Sequence, residues 1–336
     1  ADRSRGLGDV YKRQLTNFGV VSLRRDMREG GSGIGVLATG VQRHLNDPLF
    51  EGIRSQAYST GVDFFHKFGD NQYAINGSLS ASHIVGDSLA IRAAQRSSAR
   101  YYQRPDQDYV SVDPSARSMS GYAASMTGGK VAGNWTFGVD FFAYAPGFEI
   151  NDAGFESQTD RVFNGIRLGR RWLDPGKLFR DFRVNATFAQ MWNFGGTAQW
   201  REAYFGFGGT TLSYWHFNLG GSYGLGGQSD KATRGGPLME NPSNWNMHGF
   251  LGSDFRKPIS VGTFGNYMRN EYDGWNGSIG ANINIRPTAA VTVNMGPSFN
   301  KSRSAAFYVT TREDPTALPT FGSRYLFSGL EQNSVN

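Results

Sequence analysis

The sequence predicts an all-β chain of about fourteen or more antiparallel strands, and three observations carry that prediction. Apolar and polar residues alternate with period two from end to end: in "WTFGVDF", Trp135, Phe137, Val139 and Phe141 alternate with Thr136, Gly138 and Asp140. In "SIGANINI", Ile279, Ala281, Ile283 and Ile285 alternate with Ser278, Gly280, Asn282 and Asn284. Such alternation gives each strand one apolar and one polar face. Composition is the second observation, because 45 glycines without a collagen period accompany 14% aromatic residues, a share that argues against disorder. The third is that no comparable stretch carries helical spacing.

In chain order, the alternation places strands near residues 17 to 27, 32 to 45, 53 to 68, 73 to 84, 119 to 128, 134 to 144 and 161 to 173. They continue near 180 to 193, 198 to 207, 211 to 223, 244 to 254, 259 to 270, 275 to 285 and 290 to 301, with a partial strand after Arg324. "FRVNATF" sets Phe182, Val184, Ala186 and Phe188 against Arg183, Asn185 and Thr187, and "WHFNLGG" sets Trp215, Phe217 and Leu219 against His216, Asn218 and Gly220. Every second connection is short: around Glu29, "GDNQ" at 69 to 72, "GGKVA" near 129, "DPGK" at 174, "GGT" at 208, "FRKP" at 255 and "RPTA" at 286. The others include all the long loops, at 86 to 118, 145 to 160, 224 to 243 and 302 to 323.

If strands run up and down in chain order, the long loops share one side and the tight turns the other, which is how outer-membrane barrels are built. A soluble sandwich, propeller or solenoid is the alternative. Soluble strands average about five to six residues, whereas ten or more suit a tilted strand crossing a bilayer. A propeller needs a repeat of about 40 to 45 residues, and none is visible. No run of about eighteen apolar residues exists, so no transmembrane helix is expected; barrel strands need no such run. The fold expected is an antiparallel up-and-down transmembrane β-barrel, with Trp, Tyr and Phe near strand ends as interfacial girdles.

"SRGLGDVYKRQ", Ser4 to Gln14, stands apart as glycine-rich and basic. A phosphate loop needs a strand before it and a helix after it, and neither flank supplies one. A signal peptide needs an apolar stretch of roughly seven to fifteen residues, and only Leu7, Val10 and Tyr11 are apolar after Gly6. The peptide is spelled in full by the adapter of transposase-based sequencing libraries, so residues 1 to 14 are read as non-native and 15 to 336 as the barrel fragment. Setting aside Arg3, Arg5, Lys12 and Arg13 with Asp2 and Asp9 lowers the formal charge from +6 to +4. That balance is too modest to imply a nucleic-acid partner. With no cysteine, disulfides, thiolate metal sites and a cysteine nucleophile are excluded.

The phrases "TNFGVVSLRRDMREGGSGIGVLATG" (16 to 40), "YYQRPDQDYVSVD" (101 to 113), "YAPGFEINDAGFESQTD" (144 to 160) and "SRYLFSGLEQ" (323 to 332) carry a resemblance that covers essentially everything after Gln14. On them the chain resembles an uncharacterised bacterial outer-membrane barrel family, in which the barrel follows a domain similar to the family-nine carbohydrate-binding modules. The resemblance implies an outer-membrane barrel and, in complete members, a periplasmic sugar-binding-like domain ahead of it. That domain is not in this chain, so no residue here is assigned to sugar binding. Outer-membrane barrels commonly finish on an aromatic residue, whereas this chain stops at "EQNSVN"; closing strands at the C-terminal end are expected to be missing.

Few residues point to chemistry. "GGSGIG", Gly30 to Gly35, mimics a nucleotide fingerprint but lies in a strand pattern with no helix after it, where glycines let neighbours pack closely. His44, His66, His83, His216 and His248 show no metal spacing, and His216 shares its face with Asn218 and not with Ser213. Glu149, Asp152 and Glu156 offer paired carboxylates for glycoside hydrolysis, though acidic loop residues more often form turns or meet cations. Arg161, Arg167 and Arg171 share one strand parity opposite Ile166 and Leu168, and Arg183 also opposes an apolar face. If the apolar face meets lipid, these four form a basic lumen wall that guides anions. Internal pairing with Asp140, Asp181 or Glu202 is the equal alternative. In the 86 to 118 loop, Arg96, Arg100 and Arg104 interleave with Tyr101, Tyr102 and Tyr109, a mixture able to stack sugars or single-stranded nucleic acid. A surface loop or inward constriction explains it with less, Arg104 and Asp106 fixing it around Pro105.

The expected function is therefore a pore, or the membrane anchor or translocation part of a surface-glycan handling protein, in the bacterial outer membrane. It is expected to be no enzyme and to use no cofactor or metal. Its expected partners are membrane lipid, anionic solutes or glycans and the missing sugar-binding-like domain, with no nucleic acid. A carbohydrate-binding or glycoside-hydrolysing protein merely anchored by the barrel is the first alternative, and a soluble β-rich binding protein the second.

Overall fold

A computed structural model describes residues 15–45, 50–288 and 290–336; the adapter-like stretch 1 to 14 lies outside the described residues. The elements in order are β1 (Thr16–Met27), β2 (Ser32–Arg43), β3 (Arg54–Phe68), β4 (Tyr73–Gly86), α1 (Ser88–Arg96), β5 (Ser118–Lys130), β6 (Trp135–Tyr144) and β7 (Arg161–Trp172). They continue with β8 (Phe179–Trp192), β9 (Ala198–Thr211), β10 (His216–Gly224), β11 (Gly227–Ser229), β12 (Met239–Asn241), β13 (Asn244–Gly252) and β14 (Ile259–Asn270). The last are β15 (Trp275–Thr288), β16 (Val291–Met295), β17 (Ser298–Glu313) and β18 (Ser323–Val335). One antiparallel sheet of 16 strands follows chain order from β1 to β18, with β16 pairing β15, while β11 and β12 form a separate pair inside the loop after β10. Among the described residues, β1 pairs only with β2 and β18 only with β17.

Two expectations are corrected. Residues 302 to 323 were expected as one long loop, but β17 runs on to Glu313 and pairs with β18. Register shifts between Ser304 and Phe307 and between Tyr308 and Thr310 interrupt the period-two pattern there and hide the strand. The 86 to 118 stretch, expected without helix, contains α1. Asp87 starts it, its carboxylate accepting from the Ala90 N–H at 2.7 Å. That bond is the main reason the Asp87 carboxyl titrates below its ordinary range.

The period-two pattern sorts side chains onto two faces. On one face Phe137, Leu168, Ala186 and Phe205 stand in register across β6 to β9, and Phe137, Leu168 and Phe205 are half or more exposed. On the other, Gly138, Arg167, Thr187, Tyr204, Ser222 and Asn246 form a register row across β6 to β10 and β13. This polar face also carries apolar patches, among them Val41, Ala57, Ile84 and Met119, which line up across β2 to β5. Ile91 and Ala94 of α1 pack onto this patch, with Tyr102 at its margin. Full burial of Ile91 contributes roughly 2 kcal/mol. A helix lying on this face marks it as the inner one.

The tight turns 28–31, 69–72, 131–134, 173–178, 212–215 and 253–258 share one end of the strands. In "GDNQ", Gly69, Asp70 and Asn71 are all left-handed, a run that Gly, Asp and Asn tolerate best. The opposite end carries 87–117, 145–160, 225–243 and 314–322 beside the short turns 193–197 and 271–274.

Candidate functional site

At the long-loop end the loops fold back onto the inner face. Gly121 makes room for one of them, since a Cβ there would lie 2.1 Å from the Phe148 nitrogen. The Glu149 N–H donates to Ser82 Oγ at 2.9 Å, seating residues 147 to 149 against β4 and β5. A register shift between Arg54 and Gln56 in β3 turns Arg54 towards the same segment.

A chain of ion pairs then ties wall to loops. Asp152 accepts from Arg43 of β2 and Arg54 of β3, each at 2.7 Å. Glu149 meets Arg54 at 3.3 Å and Arg100 at 2.9 Å. The Arg100 and Glu149 side chains are 1% and 2% exposed, and Arg100 also donates to the carbonyls of Pro146 and Phe148. Burial pulls the Arg100 guanidinium below its ordinary value, and the Glu149 carboxylate opposes that shift. Removing one member of such a pair is costly because the other charge is left buried alone.

A second cluster links the 97–109 segment to the loop after β10. Arg104 bridges Asp106 at 3.3 Å and Asp230 at 3.4 Å, and Asp230 also accepts from Gln199 Nε2 at 2.7 Å. The Leu238 N–H donates to Asp106 at 2.5 Å, while Lys231 Nζ donates to the carbonyls of Ala99 and Arg100. Asp160 accepts from the Tyr109 hydroxyl at 2.5 Å and the Phe194 N–H at 2.9 Å. Burial pushes Asp160 up and Lys231 down, each towards its neutral form. Burial and the neighbouring Asp160 raise Tyr109, and burial lifts Tyr102 to about 12.

The loop after β10 reaches further. Arg234 lies 4.5 Å over the Tyr308 ring of β17, Gly236 abuts the Tyr325 ring of β18, and Gly235 sits against Tyr101 and Gln103. In a flat sheet β5 and β17, nine steps apart in the strand order, stand roughly 43 Å from each other at about 4.8 Å per step. Loops from both regions touch, so the sheet curls around a shared plug of loop.

The sequence-predicted residues divide between the two ends. Arg100, Tyr101, Tyr102, Arg104 and Asp106 belong to the plug; Arg96 is exposed in the last turn of α1, where its charge favours the helix dipole. Arg161 is also at this end, bonded to Glu156 at 3.0 Å and stacked over Phe142 and Tyr144. Arg167 pairs with Asp140 at 2.7 Å. Arg171 donates to the carbonyls of Val131 and Gly133, and Arg183 is exposed beside it in register. Glu149, Asp152 and Glu156 each meet a guanidinium, and Glu149 and Asp152 share that of Arg54. His66, His83 and His216 bond the hydroxyls of Ser32, Ser120 and Thr210, and the described residues hold no cluster fit for a metal ion. Sequence reasoning missed Asp160, Asp230 and Lys231, whose partners lie 31 to 132 residues away.

These features define an all-β protein: one long, curled antiparallel sheet with a charged loop plug at one end. The chain belongs to the family described as "Domain of unknown function (DUF5916)", matched over residues 8–332. No curated protein matches it. Among solved structures it is similar to the anion-selective porin from Comamonas acidovorans, 10% identical over 96% of this chain and 98% of the porin's, with a TM-score of 0.37.

Proposed function

We propose that the chain is an outer-membrane β-barrel, not an enzyme, that works as a pore or translocation unit narrowed by its own loops. One observation carries the proposal: the outer face exposes apolar side chains on strand after strand, as in Val139, Ile166 and Leu219 or Met247, Ile279 and Phe299. Water penalises such a face and a bilayer does not. A strand such as β14, with 12 residues, spans about 28 Å at about 3.3 Å per residue and a tilt of about 45°, close to the hydrocarbon thickness. Aromatic residues cluster near both strand ends. Trp245, Tyr267 and Trp275 pack together at the long-loop end, and Arg170 lies over Trp135 and Trp172 at the other. Such girdles belong at membrane interfaces. The buried Arg–Glu–Asp chain supports the narrowed lumen, because it holds the loops inside the curl. A sugar-binding-like domain ahead of the barrel would supply glycan recognition.

Expression with a secretion signal tests this directly. The protein should fractionate with outer membranes, shift in mobility on heating in detergent gels, and give small conductance steps in planar bilayers. Recovery as a detergent-free soluble monomer would overturn the membrane reading; membrane recovery without any conductance would leave an anchor and overturn the pore.

A further inference from the structure

We propose that the inner wall of β6, β7 and β8, near the short turns, holds a binding pocket for a small oxyanion of phosphate type. It rests on the barrel reading for its place in a lumen, and its chemistry stands by itself. A cavity of about 340 Å³ opens there, lined by Thr136, Arg167, Arg171, Asn185 and Thr187. Missing side chains make the space. A Cβ on Gly138 would lie 3.1 Å from Arg167 Nη2, and one on Gly169 would lie 2.5 Å from Thr136 Oγ1.

Both guanidiniums are held in place and keep Nη1 free. Asp140 takes Nε and Nη2 of Arg167 at 2.7 and 2.8 Å, and the carbonyls of Val131 and Gly133 take Nε and Nη2 of Arg171 at 2.9 to 3.2 Å. Among the described residues, Nη1 has no protein partner on either. Carbonyls orient Arg171 without cancelling its charge. Arg183 stands directly across from Arg171, exposed, with no ion pair among the described residues. Like charges facing each other across two strands weaken the pairing, and an anion between them converts that repulsion into attraction. The acidic side chains sharing this wall are Asp140, committed to Arg167, and Asp181, two residues from Arg183. Three arginines therefore face two carboxylates. Arginine forks match the oxygen spacing of phosphate and carboxylate, and Asn185, Thr136 and Thr187 add neutral hydrogen bonds.

The test is calorimetry with inorganic phosphate on the detergent-purified protein, choline chloride serving as control, with heat-modifiable mobility scored on the same samples. Wild type should bind phosphate saturably. Arg171→Gln should weaken binding by about tenfold or more, in line with losing a charge-assisted hydrogen bond from Nη1. Gly169→Val, which fills the space and leaves every charge in place, should do the same. Arg171→Lys should recover part of the loss. Absence of phosphate binding by heat-modifiable wild type, or binding unchanged in both Arg171→Gln and Gly169→Val, would overturn the pocket. Loss of heat modifiability with phosphate binding intact would instead overturn the barrel.

Discussion

The two ends of the sheet use the same residue types to opposite effect. At the long-loop end Arg100 and Glu149 are almost wholly buried against each other, whereas at the short-turn end the Arg167 side chain remains 56% exposed beside Asp140. The difference lies in what covers them. Three loops and α1 exclude water from the first group, so each charge there depends on its partner; solvent and an open cavity surround the second. Buried pairs fix where loops sit, and exposed arginines stay available to solutes.

Breaking the buried side should give the largest effect. Glu149→Gln leaves Arg100 without its carboxylate and should weaken loop docking by about 3–5 kcal/mol. Hydrogen exchange over residues 97 to 109 should accelerate strongly while the strands keep their protection. Gly121→Val drives a side chain into the 147 to 148 backbone and should cost about 1–3 kcal/mol of docking, read as a rise in single-channel conductance.

The third prediction concerns acid. The Asp160 carboxyl titrates above its ordinary 3.8 because burial disfavours its charge. Its contribution to docking is therefore complete below 3.8 and fades as pH rises through the raised value. Lys231 acts the opposite way, its depressed value weakening docking as pH falls through it. Asp160→Asn keeps an acceptor for Tyr109 and Phe194 and should flatten the pH dependence on the acid side, measured as loop exchange from pH 3.5 upwards. The smallest effect belongs to an exposed pair at the turn after β14: Arg269→Ala breaks the solvent-facing bridge to Asp273 and should leave thermal unfolding unchanged.

Strand positions were legible because each strand has one apolar and one polar face, and a one-residue error would invert both. β17 escaped because its register shifts interrupt that alternation, and α1 because nine residues packed chiefly through Ala90, Ile91 and Ala94 leave a faint helical signal. Within the site, the local Arg104–Asp106 pair and the Asp140 partner of Arg167 could be named from sequence. The Asp230 side chain that also meets Arg104 could not, since 126 residues separate them and no local pattern encodes which loops meet inside the curl.

Each plug segment enters and leaves at the same rim, because its two ends continue into neighbouring strands, as 87–117 does between β4 and β5. Among the described residues, no loop is threaded through the sheet. The loops can therefore withdraw outward like flaps on hinges, and return, with every strand ladder left intact.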